Sequence, residues 1–282
     1  VAADDDDDLK TGTAGFPRPW WGPHARLGDV SVYHVDLAPA ESVATALGWL
    51  DESEMDRLRR YLVDLPRRQF TLCRAALRIL LGRRLGCPNN ALRFGEGRRG
   101  KPFALVDEQR IGVSFNVSHS GDHGMIAIAP GGRLGIDIEV RSARNTIDQL
   151  IATLLTEAEQ NQLQNLDPNS RAGRFYDLWT AKEALVKASG LGHAIDVARL
   201  DLSGSMGEVG ELKKFRDQTL LDGCWEIANL GTPVFAAALA RAAAGRPIGA
   251  PETARNLGVD QSTCGPGAAG PRKWRDRAPP TG

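Results

Sequence analysis

Apolar and polar positions alternate with period two from Val30 to Leu37, the pattern of a strand with one buried face. From Glu41 to Leu62 the spacing lengthens, and Val43, Leu47, Leu50, Leu58 and Leu62 recur as on a helix. A second helix is predicted after Pro66. There Phe70, Cys73, Leu77 and Leu80 fall on one face at i, i+3, i+7 and i+10, while Arg67, Arg74 and Arg78 line another. One face packs and the other carries positive charge. Three strands are predicted next, at Ile111 to Val117, Gly124 to Ala129 and Leu134 to Val140. Turn signals at Ser120-Gly121-Asp122 and Pro130-Gly131-Gly132 separate them, so they read as a small meander. A helical stretch with capping-box spacing between Thr156 and Glu159 precedes a longer helix, from about Arg171 to Ser189, that stops at Gly190. Two late strands, Cys224 to Leu230 and Pro233 to Ala240, complete the pattern. The order predicts an α+β fold of two halves joined near Gly131.

This patterned body runs from residue 26 to 244, with an N-terminal half at 26–131 and a C-terminal half at 132–244. Residues 1–25 combine an acidic run, Asp4 to Asp8, with Gly, Pro and aromatics, and are expected to be a disordered extension. Residues 245–282 turn to Pro, Gly, Ala and Arg without an apolar period and are expected to be a disordered tail.

With 282 residues, 42% of them hydrophobic, the chain can bury one sizeable core or two fused ones. Acidic and basic residues balance at 35 each, so net charge points to no polyionic partner. The distribution is more informative. From Met55 to Lys101 there are thirteen Arg or Lys against Asp56, Asp64 and Glu96, a density suited to a phosphorylated small molecule, a nucleic acid, an acidic protein face or a solvated helix surface. The four cysteines form no C-x-x-C pair, which argues against zinc and against a disulfide framework. No apolar run could span a bilayer and the amino terminus is acidic, so a cytoplasmic protein without membrane contact is expected.

Four segments could carry chemistry. In Gly135-Ile136-Asp137-Ile138-Glu139-Val140, strand alternation puts Asp137 and Glu139 on one face. Such a pair is usually only a solvated acidic face, but two close carboxylates repel unless a cation lies between them, and a hard ion such as Mg²⁺ suits their oxygens. In Trp179-Thr180-Ala181-Lys182-Glu183-Ala184-Leu185-Val186-Lys187, Trp179, Glu183 and Lys187 recur on a face beside the packing stripe, where Glu183 and Lys187 could equally be a surface ion pair. Asn116-Val117-Ser118-His119-Ser120-Gly121 offers hydroxyls, an imidazole and backbone N–H groups that can hold phosphate oxygens. Adjacent Ser118 and His119 cannot by themselves make a hydrolase triad. Gly97-Arg98-Arg99-Gly100-Lys101-Pro102 is a basic loop without the spacing of a P-loop.

Together and in this order, Gly100-Lys101-Pro102, the Asn116 to Gly121 segment, Gly135 to Glu139 and Trp179 to Lys187 closely resemble the Sfp-type 4'-phosphopantetheinyl transferases, over roughly residues 28 to 240. The resemblance implies a monomer of two similar α+β halves related by a pseudo-twofold axis, with coenzyme A in the cleft between them. It implies Mg²⁺ or Mn²⁺ held by Asp137, Glu139 and Glu183, with Asp137, Glu183 and Lys187 as the catalytic group and Lys187 near the diphosphate. Ser118 and His119 match contacts to coenzyme A phosphates, Lys101 and Pro102 a cofactor-contacting loop, and Arg74 an arginine near the nucleotide end. Arg57 is the nearest upstream equivalent, with Arg67 and Arg68 competing. The implied activity is that of a holo-[acyl-carrier-protein] synthase. It moves the phosphopantetheine arm onto a serine of an acyl, peptidyl or related carrier domain, of fatty acid, polyketide, nonribosomal peptide or lysine-pathway type. Glu183 or a metal-bound water would take the serine proton. The rival readings are an inactive relative that binds coenzyme A or a carrier, a Mg²⁺-dependent phosphohydrolase, and a nucleic-acid module that would leave the carboxylates idle.

Overall fold

The computed structural model describes residues 19–97, 100–142, 147–216 and 221–243. Most of the N-terminal extension, the C-terminal tail, and Arg98 and Arg99 of the basic loop lie outside them. The first half comprises β1 (Trp21–Leu27), β2 (Val30–Asp36), α1 (Glu41–Leu47), α2 (Glu52–Leu58), α3 (Asp64–Leu85), β3 (Leu92–Glu96), β4 (Pro102–Val106), β5 (Gln109–Arg110), β6 (Ser114–Ser120) and β7 (His123–Ala129). The second comprises β8 (Leu134–Val140), α4 (Ile147–Leu154), α5 (Glu157–Leu163), α6 (Pro168–Ser189), β9 (Leu212–Arg216), β10 (Cys224–Asn229) and β11 (Phe235–Ala242).

The two halves repeat one plan. A strand (β2 or β8) leads through short helices into a 22-residue helix (α3 or α6), and the chain returns to place β7 or β11 beside that strand and β6 or β10 beyond it. The sheets run β1-β2-β7-β6 and β8-β11-β10-β9, with β3-β4-β5 as a small third sheet. Both long helices stop at a glycine in the left-handed region, Gly86 at φ +63 and Gly190 at φ +71, where a side chain would be strained.

Alternation along the strands builds four layers. Val30 and Val32 of β2, Met125, Ala127 and Ala129 of β7, Leu134, Ile136 and Ile138 of β8, and Phe235, Ala237 and Leu239 of β11 share one core between the two sheets. The opposite faces pack against the helices: Val35, Ile126 and Ile128 in the core that includes Leu72, Leu77 and Leu81 of α3, and Ala236, Ala238 and Ala240 with Leu178, Ala181 and Leu185 of α6. Each fully buried Leu, Ile or Val contributes on the order of 1.5–3 kcal/mol, so the shared layer is what fixes one half against the other.

Three expectations change, and four strands join the pattern. The stretch Glu41 to Leu62 is two helices, because Asp51 forms a capping box with Glu54 and starts a new helix after Gly48. The segment at residues 21–25, expected to lie outside the body, belongs to β1; a bulge between Pro23 and Ala25 breaks the alternation that would have revealed it. The meander is not continuous: β6 and β7 pair, but β8 leaves for the other sheet and pairs with β11. Strands β3, β4, β5 and β9 carried no clear sequence signal.

Candidate active site

Strand β8 positions the site. Its even residues enter the core between the sheets, and its odd residues run antiparallel to α6. Gly135 meets Ala184 and Ala188, Asp137 meets Lys187, and Arg141 bonds to Asp177 and to the carbonyl of Gly173. The approach at Gly135 is extreme: a Cβ there would lie 2.1 Å from the Ala184 carbonyl oxygen and 2.5 Å from the Ala188 nitrogen. Only glycine lets the helix backbone close onto the strand.

On the other side β8 faces β6 of the first half without a backbone ladder. Side chains replace it. The N–H of Ile136 donates to Asn116 Oδ1 at 2.8 Å and that of Val140 to Ser120 Oγ at 3.2 Å, which satisfies two donors on an edge that would otherwise be left open. The same face of β6 carries Ser118, so residues of both halves converge at this seam.

There Lys187 Nζ donates to Asp137 Oδ1 at 2.5 Å, to Ser118 Oγ at 2.8 Å and to the Ile136 carbonyl at 3.2 Å. Ser118 in turn donates to Asp137 Oδ1 at 2.8 Å, and Ser120 donates to Glu139 Oε2 at 2.7 Å. Asp137 is 4% exposed, yet its Oδ2 is buried with no hydrogen-bond partner among the described residues. A buried carboxylate oxygen left bare is costly, and such an oxygen suits a hard cation. Glu183 is half-buried one turn before Lys187 on α6. Among the described residues no three His, Cys, Asp or Glu side chains gather into a group able to hold a metal ion. The donor type therefore fits Mg²⁺, but Asp137, Glu139 and Glu183 are not drawn into one cage. Instead Lys187 holds Asp137 Oδ1.

The remaining candidates divide between two places. Lys101 Nζ donates to the carbonyls of Leu134, Lys187 and Ala188 at 3.2 to 3.3 Å, tying the first-half loop to the C-terminal end of α6. Burial, with some repulsion from Arg133, pushes its pKa down to about 8. Pro102 opens β4 opposite Glu96. In the first half Arg74 lies 4.5 Å over the Phe94 ring and 3.5 Å from Glu54, and burial lowers its pKa. Arg57 lies 5.2 Å over Phe70 and remains half-exposed. His119 alternates away from Ser118, onto the β6 face that carries Phe115 and Val117 toward the first-half core. The two residues read as a joint phosphate contact thus leave the strand in opposite directions.

Two supporting contacts escaped the sequence. Lys182, inside the Trp179 to Lys187 segment, is fully buried. It pairs with Glu159 at 2.6 Å and donates to the carbonyls of Leu154 and Val197. Glu159 also closes the α5 capping box with Thr156 and accepts the N–H of Leu202, so one ion pair locks α6, α5 and the following loop together. Arg141 likewise pins the end of β8 to α6 through Asp177 at 2.6 Å. Neither partner is near in sequence, and only the capping-box spacing at Glu159 gave a local signal.

The sequence matches known proteins over most of the described residues. Residues 133–237 match the model of the 4'-phosphopantetheinyl transferase superfamily, and residues 38–131 match that of the 4'-phosphopantetheinyl transferase N-terminal region. The chain belongs to the 4'-phosphopantetheinyl transferase family. It is 30% identical over 167 residues to the 4'-phosphopantetheinyl transferase HetI of Nostoc sp., covering 59% of this chain and 70% of that protein. A Synechocystis sp. protein provisionally named a 4'-phosphopantetheinyl transferase is 40% identical over 143 residues, 51% of this chain and 58% of its own length. The human L-aminoadipate-semialdehyde dehydrogenase-phosphopantetheinyl transferase is 27% identical over 184 residues, 62% of this chain and 59% of its own. The matches thus span between 58% and 70% of these relatives. No helix among the described residues is long and apolar enough to cross a membrane.

Proposed function

We propose that this chain transfers the 4'-phosphopantetheine arm of coenzyme A to a serine of an acyl, peptidyl or related carrier domain and releases adenosine 3',5'-bisphosphate. The observation that carries the reading is the group formed by Ser118, Asp137 and Lys187 at the seam of the two halves, with one Asp137 oxygen left bare. Membership of the family and the names of its relatives support it.

In this reaction the serine oxygen forms a bond to the β-phosphorus of the diphosphate, and the bond from that phosphorus to the bridging oxygen breaks. The bridging oxygen leaves with the adenosine bisphosphate, and the serine proton passes to Glu183 or to a water. Lys187 supplies positive charge beside the diphosphate, and Ser118 and Asp137 orient it. Asp137, Glu139 and Glu183 would hold Mg²⁺ or Mn²⁺, which when bound would neutralise diphosphate charge and stabilise the leaving group. Arg57, Arg74, Lys101, Pro102, Ser118 and His119 bind coenzyme A, with the arginines toward its nucleotide end. Lys101 also keeps the first-half loop seated on α6. The protein acts as a cytoplasmic monomer in which each half supplies part of one site.

The test is to incubate the full chain with coenzyme A, Mg²⁺ and apo carrier domains of several types, and to read each carrier's intact mass. A gain of one phosphopantetheine, with adenosine 3',5'-bisphosphate released in equal amount, is expected. No gain on any carrier while coenzyme A still binds would leave the inactive-relative reading in its place.

A further inference from the structure

A hollow of about 680 Å³ opens on the first half between the start of β1, α1 and the later turns of α3. It shares no residue with the Ser118, Asp137 and Lys187 group. Three of the chain's six tryptophans, Trp20, Trp21 and Trp49, line it together with Ile79, Arg83 and Cys87. Its size falls in the range of about 300–1,000 Å³ typical of small-molecule sites, which are mainly apolar with a few placed polar groups. The Trp20 indole N–H already donates to the Leu72 carbonyl at 3.1 Å, so the ring is what remains to contact a ligand.

The charges lining the hollow are not equivalent. Arg78 is spent: it donates to the carbonyls of Trp49 and Leu92 and pairs with Asp51 at 3.1 Å and Glu54 at 3.3 Å. Arg83 lies 5.3 Å over the Trp21 ring and has no ion pair among the described residues. A guanidinium held against an aromatic face keeps its planar fork available to a carboxylate. Glu41 also lines the hollow and disfavours a second negative charge.

We propose that this hollow is a second binding site, for a planar aromatic molecule bearing a single carboxylate, whose ring rests between the part-buried Trp20 and Trp49 while its carboxylate meets Arg83, itself seated on the buried Trp21. Cys87 lies in the wall and reports occupancy independently of any transfer activity. In the experiment the full chain is titrated with 2-naphthoic acid, and in parallel with 2-naphthylmethylamine. Tryptophan fluorescence and alkylation of Cys87 by iodoacetamide, mapped by peptide mass, are followed. Naphthoate should quench the fluorescence saturably and protect Cys87, and the amine should bind at least about tenfold more weakly. Arg83→Gln should lower naphthoate affinity by about tenfold or more at unchanged melting temperature, and Trp49→Ala should weaken it likewise. Three results would each overturn the proposal. They are no saturable protection up to about 1 mM, equal binding of amine and acid, and a Cys87 that does not react in the free chain, which would mean that the hollow is already filled.

Discussion

Lys187 Nζ lies 2.5 Å from Asp137 Oδ1, and the same ammonium donates to Ser118 at 2.8 Å, so one cation joins α6, β8 and β6 across the seam of the two halves. That cation offsets a buried carboxylate, and in the proposed reaction it would also supply charge to the diphosphate. Removing it takes away both, and a fold readout beside the activity readout tells them apart. Lys187→Met is expected to lower carrier modification by about 10²–10³-fold, the loss usual for one charge-stabilising donor, while the protein remains folded by circular dichroism. Asp137→Asn should abolish transfer, and a chelator should do so reversibly. Near-normal turnover of Asp137→Asn would remove Asp137 from the site.

Gly135 tests the geometry that sets this group in place. A methyl there would lie 2.1 Å from the Ala184 carbonyl oxygen, and because that atom is backbone, strand and helix must separate. Overpacking of this kind typically costs about 1–3 kcal/mol and sometimes more. Gly135→Ala should lower the melting temperature and reduce transfer together. Gly112→Ala, where nothing lies within 4 Å of the new methyl, should change stability by no more than about 0.5 kcal/mol. Equal effects of the two substitutions on thermal melting would rule out close packing as the reason for glycine at 135.

How far the sequence foretold this site depends on the range of each contact. Period-two alternation put Asp137 and Glu139 on one face of β8, and helical spacing put Glu183 and Lys187 on one face of α6, as found. That face of β8 is not solvated; it lies against α6, and the other face joins the core between the sheets. Periodicity says which residues share a face but not what covers it. The convergence of Ser118, Asp137 and Lys187 depends on β8 changing sheets after Gly132, which turn chemistry alone does not specify. Lys182 shows the same limit, since an exposed-looking lysine on a helix is fully buried by a partner on another helix.

The Lys182 and Glu159 pair is expected to behave as a buried ion pair whose halves depend on each other. Lys182 is lowered below the usual lysine range by burial, with Glu159 opposing the shift. Lys182→Met strands a buried carboxylate and should cost about 3–5 kcal/mol. The double variant Lys182→Met with Glu159→Gln should recover part of that loss, because the unpaired charge is gone. Recovery will be incomplete, since Glu159 also holds the N–H groups of Thr156 and Leu202. Denaturant melts of the four proteins give the coupling. Strictly additive costs would show that the pair does not act as a unit.

A third contact between the halves is sensitive to acid. His34 of β2 shares a hydrogen bond with His123 of β7 at 3.0 Å and stacks on Phe235 of β11 at 5.6 Å, with His24 of β1 beside it. Burial, then the neighbouring His123 and His24, pushes the His34 pKa from 6.5 down to about 4, and only Asp36 opposes the shift. The folded pKa is thus below the unfolded one, so between pH 6.5 and about 4 the unfolded chain binds the extra proton. Stability from this group is intact above pH 6.5 and is lost as pH falls through that window. Since the cluster touches Phe235 and the Leu230 carbonyl of the second half, protonation should weaken the packing of the two sheets. His34→Gln, which keeps a polar contact to His123 but takes up no proton, should flatten the fall of melting temperature between pH 6.5 and 4. A wild-type-like fall in that variant would mean that other groups govern acid sensitivity.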